Sequence, residues 1–152
     1  MAVDTALIKQ LREETSAGIA DCREAIEEAG GDLAKAKEIL RKKGHDKAAS
    51  KSDREVNAGV VETYQHAGRI GVLVEILCET DFVAKTDDFK ALAHEVAIQI
   101  ASMKPNNVEE LLEQEYVRDS SKTIKSLIQD AIAKLGENIQ IGRIARIEMG
   151  RE

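Results

Sequence analysis

The run from Ile70 to Cys78, Ile-Gly-Val-Leu-Val-Glu-Ile-Leu-Cys, is the feature that most restricts what this chain can fold into. Side chains alternate across a strand, so Ile70, Val72, Val74, Ile76 and Cys78 share one face and form a continuous apolar strip. The preceding run, Gly59-Val60-Val61-Glu62-Thr63-Tyr64, also has strand periodicity, and His66-Ala67-Gly68 between them reads as a turn. Together they predict an antiparallel hairpin. Its apolar strip must be covered by something else, and the flanking segments have the three- and four-residue spacing of helices. Strands segregated from helices in this way predict an α+β fold, a small antiparallel sheet covered by helices on one face.

The first 44 residues read as a three-helix module. Asp4 can cap a helix carrying Leu7, Ile8 and Leu11 on one face, and Ser16-Ala17-Gly18 turns into a second helix with Ile19, Cys22 and Ile26 in register. Gly30-Gly31 ends it, since glycine tolerates the left-handed position after a helix C-terminus. Asp32 then caps a third helix with Leu33, Ala36, Ile39 and Leu40 inward, which Gly44 is expected to stop. The shape and size of such a module resemble a ubiquitin-associated fold. Residues 45–57 are polar and without a broad apolar face, and read as a linker that can be partly helical. Residues 58–152 make the α+β core.

Within that core a helix is expected from Asp87, with Phe89, Leu92, Ala93, Val96, Ile100 and Met103 apolar and Pro105 closing it. Val108 to Glu115 is a short amphipathic stretch. A stronger helix is expected from about Ser121 to Gly136, with Ile124, Leu127, Ile128, Ala131 and Leu135 apolar. Ile139, Ile141, Ala145, Ile147 and Met149 then alternate as a third strand.

Composition removes several classes of function. A net charge of -6 over 152 residues disfavours a chain whose main ligand is a nucleic-acid backbone, because neutralising phosphates takes a basic surface. The Arg41-Lys42-Lys43 run suits a helix C-terminus, where cations meet the carbonyl end of the dipole. Cys22 and Cys78 are too few for a disulfide framework or zinc site, and His45, His66 and His94 have no metal-ligand spacing. No stretch approaches the roughly 20 apolar residues of a membrane span. The start Met1-Ala2-Val3-Asp4 lacks a basic region followed by an apolar run, so a cytoplasmic protein is expected.

No catalytic constellation assembles from these residues. Gly30-Gly31 is followed by Asp rather than the Lys-Ser or Lys-Thr of a phosphate loop. The acidic pairs Glu13-Glu14, Glu27-Glu28 and Asp87-Asp88 read as helix surface or capping charge. The expectation is therefore no enzyme and no cofactor. That leaves a protein-binding regulator, against the alternative of a small enzyme with an unrecognised site or a small adaptor resting on the N-terminal module.

Thr80-Asp81-Phe82-Val83-Ala84 carries the functional signal. An acid and a large aromatic stand together just past a strand end, in a chain with two Phe, two Tyr and no Trp. In one reading Thr80 is a cap and Phe82 a core plug, since aromatics mostly serve burial. In the other, Phe82 is an exposed anchor that enters a partner.

The segments Leu11-Arg12-Glu13-Glu14-Thr15-Ser16-Ala17-Gly18, Asp21-Cys22-Arg23, Gly31-Asp32, Leu40-Arg41-Lys42-Lys43-Gly44, Cys78-Glu79-Thr80-Asp81-Phe82-Val83-Ala84 and Ile132-Ala133-Lys134-Leu135-Gly136-Glu137-Asn138-Ile139 stand in order. Together they resemble the elongation factor Ts family, over nearly the full length. The resemblance implies a nucleotide exchange factor that binds elongation factor Tu and promotes GDP release. Phe82 would wedge into the GTPase and Asp81 would perturb its magnesium and phosphate surroundings, with Thr80 and Val83 beside them. The N-terminal module would dock through Leu11, Ile19, Ala20 and Arg23. The family's usual longer form has a duplicated core and a protruding helical hairpin, for which the stretch from Ala101 to Tyr116 leaves no room. A single core unit implies a homodimer, formed around the third strand. Ile19-Ala20 stands where the family commonly carries two Met, and Leu77 where it commonly carries Asn.

Overall fold

The structure is a computed structural model that describes residues 4–151; residues 1–3, which begin the N-terminal segment read above, and residue 152 lie outside the described residues. Helices and a small antiparallel sheet make an α+β fold, with three helices at the N-terminal end.

Helix α1 (Thr5–Thr15) starts where the Asp4 carboxylate accepts a hydrogen bond from the Ala6 amide at 2.9 Å. Helix α2 (Ile19–Glu28) ends at Gly30 and Gly31, which have φ of 64° and 87°. Asp32 caps α3 (Leu33–Ser50) by accepting from the Lys35 amide. Leu11, Cys22, Ala25, Ile26, Ala29 and Ala36 form the buried cluster of this end of the molecule. Ile19 is not part of it, because the first residue of α2 sits at the rim and faces solvent.

Gly44 does not stop the third helix. Helix α3 runs on through His45 to Ser50 and lies along the later helix α7 (Ile124–Leu135). A glycine inside a helix costs about 1 kcal/mol relative to alanine. Here it permits a close helix crossing, since a Cβ at Gly44 would stand 2.9 Å from the Ala133 Cβ. Around the crossing, Asp130 accepts from His45 Nε2 at 2.6 Å and lies 3.7 Å from Arg41 Nε and 3.8 Å from Lys122 Nζ. Ala48 is buried in the main core. The first half of the expected linker is thus helix, and only the remainder, from Lys51, is turn and irregular chain.

Strands β1 (Ala58–His66) and β2 (Ile70–Cys78) pair antiparallel, and β5 (Ile139–Glu148) joins the other side of β2, giving the order β1-β2-β5. Val72, Val74, Ile76 and Cys78 are buried on one face beneath α5 (Asp87–Met103), whose Phe89, Leu92, Ala93, Val96 and Ile100 fill the core. Helix α6 (Val108–Glu113) follows, then a small hairpin, β3 (Glu115–Tyr116) with β4 (Asp119–Thr123). The hairpin occupies residues expected to begin the last helix, because Thr123 rather than Ser121 makes the cap, in a reciprocal pair with Ser126.

The alternation expected for the third strand breaks in the middle. Ile139 and Ile141 pair with Cys78 and Ile76 on the core face, but Ile144 and Arg146 pair with Val74 and Val72. The β-bulge between them reverses the parity, so Ala145 and Ile147 face away from α5. Glu75 pins the bulge by accepting from the Arg143 amide at 2.8 Å and from Nε at 2.7 Å. Gly142 lets it form, since a Cβ there would come within 3.0 Å of the Glu75 Cβ. Among the described residues, no helix is long and apolar enough to cross a membrane.

Candidate functional site

Strand β2 delivers the chain to Thr80, which is extended (φ -131°, ψ 153°) and caps a single helical turn, α4 (Asp81–Ala84). The Thr80 hydroxyl accepts from the Val83 amide at 3.3 Å, and the Thr80 carbonyl accepts from the Ala84 amide at 3.2 Å. A second threonine ends the turn: Thr86 Oγ1 donates to the Val83 carbonyl at 2.7 Å and accepts from the Phe89 amide at 3.2 Å. Two caps a few residues apart hold a turn too short to hold itself, since the first turn of a helix costs more order than its bonds return.

Ala84 is the buried foot of this turn and Val83 packs partly against the core. Asp81 and Phe82 stand on the outer side, and Phe82 is 88% exposed. Thr80 is a cap, but Phe82 plugs nothing; Phe89, fully buried, is the aromatic of the core. Burying a phenylalanine is worth about 1.5–3 kcal/mol, and the fold forgoes nearly all of it at this position.

From behind, the segment after α7 supports the turn. Both oxygens of Glu137 accept from Thr80, Oε1 from the amide at 3.0 Å and Oε2 from the hydroxyl at 2.7 Å. The Asn138 amide donates to Glu79 at 2.9 Å, and this bond, more than the Arg54 guanidinium nearby, holds the Glu79 carboxyl below its ordinary range. The buried Asn138 side chain donates to the carbonyls of Arg54 at 2.8 Å and Ser52 at 3.4 Å. Glu137 and Asn138 lie within the family-like segment Ile132–Ile139, yet nothing local in the sequence marks either as a site residue. Their distance along the chain from Thr80 hides the contact. Cys78, beneath the turn, has its thiol pushed up by burial and secondarily by the Glu137 charge.

The other predicted contact residues divide. Ile19 is 57% exposed, Ala20 and Arg23 are exposed beside it, and Arg23 lies 3.9 Å from Glu27. Leu11 is completely buried against the second and third helices, so it shapes the module from within and offers no surface to a partner.

Residues 79–152, which begin at the turn's own Glu79 and end past β5, match the family model described as Elongation factor TS. The elongation factor Ts of Coprothermobacter proteolyticus is 43% identical over 99% of this chain and 100% of its own length. This chain belongs to the elongation factor Ts family. The elongation factor Ts of Nitratidesulfovibrio vulgaris is 40% identical over 100% of this chain and 99% of its own, and that of a Synechococcus strain 41% identical over 99% of this chain and 70% of its own. These alignments run to 196–198 residues, longer than the 152 here, so the elongation factor Ts relatives carry internal residues that this chain lacks.

Proposed function

We propose that this chain is a cytoplasmic guanine nucleotide exchange factor that binds elongation factor Tu and promotes GDP release, without catalysing a reaction of its own. The observation that carries this reading is the 88% exposure of Phe82 on a turn capped at both ends. A large aromatic held in water on a fixed scaffold is what an anchor residue requires, because little ordering entropy remains to be lost on binding. Phe82 enters the GTPase, Asp81 meets the magnesium and phosphate side, and Ile19, Ala20 and Arg23 dock on a second face.

An exchange factor binds the nucleotide-free GTPase better than the nucleotide-bound one, and linkage makes that antagonism reciprocal. Speeding release by ten thousand-fold takes about 5.5 kcal/mol, at about 1.36 kcal/mol per tenfold. Hot-spot residues carry about 2–4 kcal/mol each, so an aromatic anchor and a few helix contacts are enough. The test is release of fluorescent GDP from elongation factor Tu. An unchanged rate at micromolar concentrations of this chain would sink the reading.

The sheet supports a homodimer as part of the same reading. Its face away from α5 exposes Val61, Leu73 and Ile147, one from each strand, with Ala145 and Thr63 between them. Leu73 on the central strand places the patch so that a two-fold axis through it would lay each copy's face on the other's. Light scattering at tens of micromolar is expected to give twice the monomer mass, falling to the monomer mass for Leu73→Glu. A monomer mass for the unaltered chain would remove the dimer from the proposal.

A further inference from the structure

We propose that Glu137 and Asn138 are positioning residues for Phe82, fastening the turn that carries it to the end of helix α3. The inference rests on the reading of Phe82 as the partner anchor and adds what fixes its direction.

The carboxylate of Glu137 is used twice on one residue, taking the Thr80 amide and the Thr80 hydroxyl proton. With its proton directed at Glu137, the hydroxyl keeps its lone pairs for the Val83 amide, so Glu137 selects the rotamer in which Thr80 caps the turn. Glu137 is itself aimed by Gly136, which ends α7 in the left-handed conformation (φ 79°), and whose carbonyl accepts from Lys51 Nζ at 3.1 Å. Asn138 completes the junction. Its amide holds Glu79, its side chain holds the carbonyls of residues 52 and 54, and Arg54 Nη1 reaches Glu79 at 3.4 Å.

Residues 136–138 are therefore bonded on one side to the chain just before Phe82 and on the other to the end of α3. The opposite end of α3 packs Ala36 into the cluster beneath Ile19, Ala20 and Arg23. The two proposed docking elements thus share one connection through α3, in which the Glu137 carboxylate and the buried Asn138 amide add directional bonds to the apolar packing of Ala48 and Ala84 in the main core.

The chain's two phenylalanines make a direct test possible, because fluorine-labelled phenylalanine gives one signal from buried Phe89 and one from exposed Phe82. In Glu137→Ala the Phe82 signal is expected to sharpen and move toward the position of the free amino acid while the Phe89 signal stays. Thr80→Val, which deletes the hydroxyl and leaves Glu137 in place, is expected to do the same, and Thr80→Ser to keep the original spectrum. A Phe82 signal unchanged in both Glu137→Ala and Thr80→Val overturns the proposal. Nucleotide exchange supplies the second arm. Glu137→Ala is expected to slow exchange about tenfold when Phe82 is present and less than about twofold in Phe82→Ala, since residues acting through one another are not additive. Fully additive losses would make Glu137 a general support of the fold and overturn the proposal. If the unaltered chain gives no exchange at all, the functional reading falls, and the fluorine spectra still decide the positioning role.

Discussion

Phe82 and Phe89 lie on neighbouring helices and serve opposite ends. Phe89→Ala opens a cavity in the middle of the core and is expected to cost about 3–5 kcal/mol of stability. Phe82→Ala removes a ring that touches little and is expected to change stability by less than about 0.5 kcal/mol. It should slow GDP release by about tenfold or more, a loss of ~1.4 kcal/mol in the transition state. Melting temperature and exchange rate measured on the same two variants separate the roles. A large drop in melting temperature for Phe82→Ala would return it to packing. The two cysteines add nothing to this chemistry, because burial raises both thiols and leaves little thiolate at neutral pH.

Among the elements, α3 departs most from its sequence pattern, and Gly44 is the reason. Glycine after a helical run usually marks a C-terminus, yet here the backbone continues and the missing side chain brings α3 and α7 together. Gly44→Ala should therefore destabilise the protein despite alanine's better helix propensity of about 1 kcal/mol. Adding Ala133→Gly moves the methyl group from one helix to the other and should recover most of the loss. Melting temperatures of the two single variants and the double variant check this. A stabilised Gly44→Ala would show that the crossing is loose. The same kind of local choice governs β5, where Gly142 and the Glu75–Arg143 pair set the bulge that turns Ile147 outward.

Among the described residues of the whole molecule two apolar clusters are joined by one helix, since α3 places Ala36 in the first and Ala48 in the second. Its surface chemistry makes stability depend on acid. Glu14, Glu75, Glu79, Asp119 and Glu148 all titrate below their ordinary values of 4.5 for glutamate and 3.8 for aspartate. The leading causes are hydrogen bonds from Lys37, Arg143, the Asn138 amide, Ser121 and Arg146 respectively. The folded form keeps these groups charged where the unfolded chain already binds protons. Their contribution is therefore complete above the ordinary values and is lost as pH falls through the folded ones. The melting temperature should be flat from neutral pH down to the ordinary values and fall below them. The fall should be shallower at high salt, which screens exposed pairs. A melting temperature that rose on acidification would contradict this account.

The sequence by itself determined the elements whose signal is local. The period-two strip of β2 fixes a strand and its buried face, Asp4 and Asp32 fix helix starts, and Gly30-Gly31 fixes a helix end, each through bonds made within a few residues. The ordered segments also placed the chain in its family. Only the tertiary structure decided where locally ambiguous residues went. Leu11 is inside and Ile19 outside although both sit on apolar faces, because burial depends on which helix lies opposite. Phe82 faces water because the capped turn directs Ala84 and Val83 to the core and leaves Phe82 on its outer side. Glu137 finds Thr80, and Gly44 finds Ala133, across long separations along the chain, where no local periodicity reaches and the tertiary fold selects the partner.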